Sequence, residues 1–220
     1  MNAVSYPVFS FAALCFFTVL LIVFAAEKKK TDETKLFIAV LTALVLNSSG
    51  SLLMGLGIYP GAEFWLYVMS PTSLLVTLLA FFFICGFLNK HNRLLKYLLT
   101  FGTALIILLM SLGVLISSPS VGQSFGLRTI LLYDLKWPAF FAGAFYICVV
   151  LSVLKVLRGA IKVNGMLSPG LLHIAIGSLA MIMGSIAIHI PGNTFPWEIL
   201  SGLVLAVLLM AALHKRNLFS

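Results

Sequence analysis

Six charged or titratable residues fall in or beside the connections that follow the second, fourth and sixth apolar runs: Glu63, Arg128, Asp134, Lys136, His189 and Glu198. Asp134 and Lys136 flank the start of the fifth run, immediately before Trp137-Pro138. Glu198 falls in the expected first turn of the last run, where a carboxylate meets the positive end of a helix dipole. Solvated loop charges and helix caps account for residues of this kind, and a polar mouth that recognises a ligand is the sharper reading. With the aromatics beside them, the candidate ligand contacts are Trp65, Tyr67, Arg128, Tyr133, Asp134, Lys136, Trp137, His189, Trp197 and Glu198.

Other chemistries find less support. No Asp, Glu, Lys or Arg falls in the middle of an apolar run, as proton relays and ion-coupled carriers usually require. The last run has no lysine between Ile199 and Leu213, so a retinal Schiff base has no attachment point. His173 and His189 are sixteen residues apart, about 24 Å along one helix, and cannot share a metal. His91 and His214 stand among basic residues at run ends. Serines are many, but no Gly-x-Ser-x-Gly or phosphate-cradling glycine loop accompanies them. Cys15, Cys85 and Cys148 each sit inside an apolar run and read as buried free thiols. No catalytic group, metal site or cofactor is expected on this chain alone.

The elements that would position such a mouth follow from composition. Hydrophobic residues make up 61% of the chain and charged residues 9%, with mean hydropathy +1.14. Soluble domains carry roughly 25% charged residues. The pattern is that of an all-α integral membrane protein. Seven apolar stretches, at 7–26, 36–59, 64–88, 97–116, 137–157, 169–190 and 196–213, each approach the ~20 residues needed to cross the hydrocarbon core. Backbone groups in lipid must be satisfied within the segment, so runs of this length are helices. A seven-helix bundle over 1–213 with a short tail at 214–220 is expected.

Charge orients it. Twelve of the fourteen basic residues follow the first, third, fifth and seventh runs, and only Arg128 and Lys136 fall on the other side. The positive-inside rule then places the N-terminus outside and the C-terminus in the cytoplasm. The net charge of +8 is thereby explained without a nucleic-acid partner. Trp65, Trp137 and Trp197 open runs at the outer face, where aromatics anchor to the headgroup layer. Within the runs, Asn47, Ser51 and Gly55 recur at four-residue spacing, and Gly177, Ala180 and Gly184 at three and four. Small and weakly polar residues so spaced let helices approach closely, or line a cavity for a neutral ligand. Pro71 interrupts the third run and favours a kink.

The closing stretch carries a resemblance. Ile190-Pro191-Gly192 leads through Pro196-Trp197-Glu198-Ile199-Leu200 to Ala211-Ala212-Leu213-His214-Lys215-Arg216-Asn217-Leu218-Phe219. A Pro-containing outer turn, an apolar helix and this basic close resemble the seven-helix N-terminal sensor region of bacterial histidine kinases and diguanylate cyclases. The resemblance implies a multi-pass protein of the bacterial inner membrane that binds a small apolar or amphipathic ligand from outside. It further implies signalling through the last helix to an output module or partner protein, with homodimers possible. No phosphoacceptor helix, nucleotide-binding glycine box or Gly-Gly-Asp-Glu-Phe signature occurs in the 220 residues. A sensor region apart from its output module, or a stand-alone relative acting through a partner, is therefore expected. A small permease or transporter subunit and an accessory subunit of a larger membrane complex are the rival readings.

Overall fold

The computed structural model describes residues 5–28, 30–88, 93–115, 120–121, 131–132, 136, 139–164, 170–187 and 197–219. Seven helices follow one another among them: α1 (Ser5–Ala26), α2 (Asp32–Gly55), α3 (Ala62–Phe87), α4 (Arg93–Ser111), α5 (Ala139–Asn164), α6 (Leu171–Ala187) and α7 (Trp197–Phe219). Between α4 and α5, β1 (Ser120–Val121) pairs antiparallel with β2 (Leu131–Leu132). This two-residue ladder has no counterpart in the sequence reading, because so short a pairing leaves no alternation to detect.

Local chemistry sets the helix ends. Thr31 caps α2, its hydroxyl accepting from the Thr34 amide at 3.2 Å, with Asp32 and Glu33 in the first turn. Such a cap contributes about 1 kcal/mol, whereas solvent screens the exposed Lys35–Asp32 pair, which adds little. The far end of α2 stops at Gly55, before the apolar stretch runs out at Tyr59. Gly57 has φ +64, its amide donates to the Met54 carbonyl at 3.1 Å, and the Ile58 amide donates to Leu53 at 3.1 Å. That is a Schellman close, which requires the left-handed backbone glycine adopts freely. Gly113, with φ +66, ends α4 in the same way through Val114 to Leu109 and Gly113 to Met110, ahead of the apolar stretch's end at Ile116. At the basic ends the opposite occurs: α5 runs on to Asn164 and α7 to Phe219, past Leu157 and Leu213.

Helices α1 to α5 each contain a stretch long and apolar enough to cross a membrane. The apolar stretches of α6 and α7 within the described residues, Leu171–Gly184 and Ile199–His214, are shorter. The surface agrees with a membrane protein. Phe11, Ile22, Phe101, Phe140 and Phe141 are more than half exposed, with Phe140 at 82%. Large apolar side chains spread over several helices would be costly in water and are at home in hydrocarbon.

Two sets of contacts define the ends of the bundle. At one, Phe24 of α1 meets Phe37 of α2 edge-on, Phe37 meets Phe83 of α3, and Phe83 stacks with Phe87. Gly170, at the start of α6, lies against Phe87 and the Ala212 carbonyl of α7, and Lys96 of α4 sits over Phe82. Lys28, Lys30, Lys35 and Arg93 belong to the same helix ends. At the other, Ser10 of α1 meets Ser51 of α2, Gly50 of α2 meets Met69 of α3, and Gly184 of α6 meets Ser201 of α7. Neighbouring helices are thus antiparallel, with basic residues gathered at one end.

Close approach depends on glycine. A Cβ at Gly184 would collide with Ser201 and lie 3.0 Å from the Trp197 carbonyl, and Gly177 faces Leu205 and Leu208. Gly202 in turn faces Leu44 of α2 and Phe17 of α1, seating α7 in the core. Gly184→Val should therefore destabilise the bundle by about 1–3 kcal/mol through overpacking. Gly143→Ala, where an added Cβ meets nothing within 4 Å, should cost nothing measurable. Reversible unfolding in mixed micelles checks both.

Candidate functional site

Two polar residues of α2, Asn47 and Ser51, reach neighbouring helices. The Asn47 side-chain carbonyl accepts from Ser73 Oγ at 3.1 Å, and Thr72 Oγ1 lies 3.3 Å away. Thr72 has a single proton and sits 2.8 Å from the Met69 carbonyl, so Ser73 is the better donor to Asn47. One turn along α2, Ser51 lies 3.3 Å from Ser10 of α1, both fully buried. Asn47 thus ties α2 to α3 while Ser51 ties it to α1. Gly55 closes α2, and Gly177 and Gly184 serve the α6–α7 contact.

Among the expected ligand contacts, Trp65 donates its indole N–H to the Ile58 carbonyl at 3.0 Å, bracing the turn between α2 and α3. Tyr67 stands half-buried further along α3. Lys136 reaches back to the end of α4, its ammonium donating to the Gly113 carbonyl at 2.8 Å and its amide to Leu115 at 3.0 Å. Trp197 opens α7 with 39% of its surface exposed, and Glu198 follows it in the first turn. Arg128, Tyr133, Asp134, Trp137 and His189 lie outside the described residues. Of the described members of the set, Trp65 and Lys136 fasten turns at two different connections. Among the described residues no three His, Cys, Asp or Glu side chains gather as a metal site.

The cysteines need a correction. Cys85 is buried, but Cys15 and Cys148 are exposed on the apolar surfaces of α1 and α5. An apolar run that faces lipid on one side and protein on the other does not reveal which face a small residue occupies.

A cleft that the sequence reading did not identify lies deeper. Thr77, Ala80 and Ile84 of α3, Tyr146, Val150 and Val153 of α5, and Ser178, Met181 and Ile182 of α6 line it. Its atom-free outline is about 310 Å³ including the open side, while the room for water-sized atoms is about 20 Å³. It is therefore a slot and not a chamber. Among the described residues the Tyr146 hydroxyl is buried with no hydrogen-bond partner. The hydroxyls of Ser178 and Thr77 are taken up by their own helices, donating to Ile174 at 2.7 Å and to Ser73 at 3.2 Å. One signal was available: Tyr146 stands well inside its helix, away from the headgroup level that tyrosine favours. His173 Nδ1, near the start of α6, is likewise buried with no partner among the described residues.

Neither protein-family models nor curated proteins match this chain.

The Asn47 contact yields a direct expectation. A double-mutant cycle with Asn47→Ala and Ser73→Ala, read from unfolding in mixed micelles, should give a coupling of about 0.6 kcal/mol and no more than about 1.7. Zero coupling would mean that the two side chains do not meet in the folded protein.

Proposed function

We propose that this chain is a receptor-like module of a bacterial plasma membrane, crossing it seven times with its N-terminus outside. A small apolar or amphipathic ligand arriving from the outer side favours one packing of the bundle, and α7 carries the change to the cytoplasmic tail. The observation that carries this reading is the course of α7. It is one uninterrupted helix from Trp197, at the aromatic end, to Phe219 beyond the basic end. Leu205, Ala206, Leu209 and Ala212 are fully buried, so the helix is gripped along its length by α6, α2 and α1. A shift of those neighbours has no slack joint in which to dissipate before Lys215 and Arg216.

Two further observations support it. Helices α6 and α7 pack at the level of the longer helices and not beyond them, which favours seven crossings over five. The meeting of the basic helix ends at one end of the bundle suits a cytoplasmic face. The closing residues of α7 also carry the resemblance to sensor regions. A ligand shifts such an equilibrium only by its differential affinity for the two packings. Full inversion from 1:99 to 99:1 demands about 10⁴-fold.

The test is an in-frame fusion of a histidine-kinase or cyclase module after Ser220. One added alanine turns the junction by about 100° and four restore its phase nearly. Output should change with one- and two-residue insertions, recover with four, and respond to Trp65→Ala. Output indifferent to insertion phase, to candidate ligands and to alanine at Trp65, Trp137 and Glu198 would contradict the reading.

A further inference from the structure

We propose that the slot between α3, α5 and α6 binds the carbonyl-bearing end of a free lipid-soluble molecule, of the class of long-chain ketones and quinones. The inference rests on the placement of the chain in a membrane and not on signalling, so either can fail without the other.

The Tyr146 hydroxyl directs the choice of ligand. A phenol is a good donor, and leaving it unpaired in a dry setting is expensive. A resident water could accept from Tyr146 and donate to the lone pairs of Thr77 and Ser178. The approach to the slot, however, runs from the hydrocarbon phase past exposed Ile147 and Leu151, where water is scarce. The Thr77 and Ser178 protons already go to the carbonyls of Ser73 and Ile174, so Tyr146 is the donor left among the described lining residues, and the rest of the lining is apolar. The complement of one donor in an apolar slot is an apolar body with one acceptor. The slot's narrowness selects a thin group, such as a carbonyl on an alkyl chain or a ring edge.

Depth and access narrow the source. Tyr146 lies seven residues into α5, about 10 Å along its axis. Ester carbonyls of phospholipids sit at the headgroup boundary, so a carbonyl on a freely diffusing molecule is the better match. Ile147 and Leu151 are exposed beside the slot, giving an approach from the hydrocarbon phase. Helix α5 is mostly exposed, and parting it from α6 opens the way to the hydroxyl.

The experiment uses the full chain in nanodiscs of ether-linked phospholipid, which contain no ester carbonyl, with radiolabelled 2-undecanone and n-undecane as probes. Wild-type protein should retain the ketone saturably, about one per chain above empty nanodiscs. Tyr146→Phe should weaken retention about 5- to 30-fold, matching the loss of one hydrogen bond. It should fold at least as well as wild type, since it removes an unpaired buried hydroxyl. Val150→Phe, which fills the slot, should abolish saturable retention, and n-undecane should bind wild type no better than the ketone binds Tyr146→Phe. Ketone retention equal to empty nanodiscs, or equal in wild type and Tyr146→Phe, would overturn the proposal.

Discussion

In lipid, helices gain little by hiding apolar surface from one another, because the surrounding chains are as apolar as leucine. What holds this bundle is therefore close backbone approach and a few well-placed polar contacts. The α6–α7 pair shows the first device, with Gly177 and Gly184 removing the side chains that would keep α7 away. The α1–α2–α3 unit shows the second, with Asn47–Ser73 and Ser10–Ser51 on successive turns of α2. Gly202 joins the two units by admitting Leu44 and Phe17 against α7.

That division explains where the molecule has room. Helices α2 and α3 are half buried, whereas α4 and α5 show most of their surface. The slot lies on the side of α3 served by α5. The Asn47–Ser73 contact and the slot thus lie against different neighbours of α3. Thr77 links them: it stands one turn from Ser73, whose hydroxyl serves Asn47 and whose carbonyl accepts from Thr77.

Much of this was legible in the residues, for identifiable reasons. Runs near twenty apolar residues have few alternatives to helix, and the glycines at 177 and 184 announce a close seam by their spacing. The ends of α2 and α4 were less legible, because apolar residues continue through Leu56–Tyr59 and Leu112–Ile116 while Gly57 and Gly113 have already turned the chain. Which face is buried was not legible at all for α1 and α5. Lipid and protein interior select similar side chains, so Cys15 and Cys148 read as buried and are exposed. The residues expected to form a ligand mouth were chosen for polarity, and Trp65 and Lys136 spend theirs on turn carbonyls. Tyr146, whose hydroxyl has no partner among the described residues, stands in an apolar run in sequence, and Thr77 and Ser178 reach it only through the fold.

The two ends of the bundle are expected to face opposite sides of a membrane. Single cysteines placed at Tyr59 and at Lys28, in a chain with Cys15, Cys85 and Cys148 replaced by alanine, test this with a membrane-impermeant maleimide. Tyr59 is 89% exposed in the turn between α2 and α3, and Lys28 is exposed just beyond α1 at the basic end. Intact cells should label Tyr59→Cys and not Lys28→Cys, and inside-out vesicles should reverse the pattern. Labelling of Lys28→Cys from outside, or of both positions from one side, would contradict the arrangement.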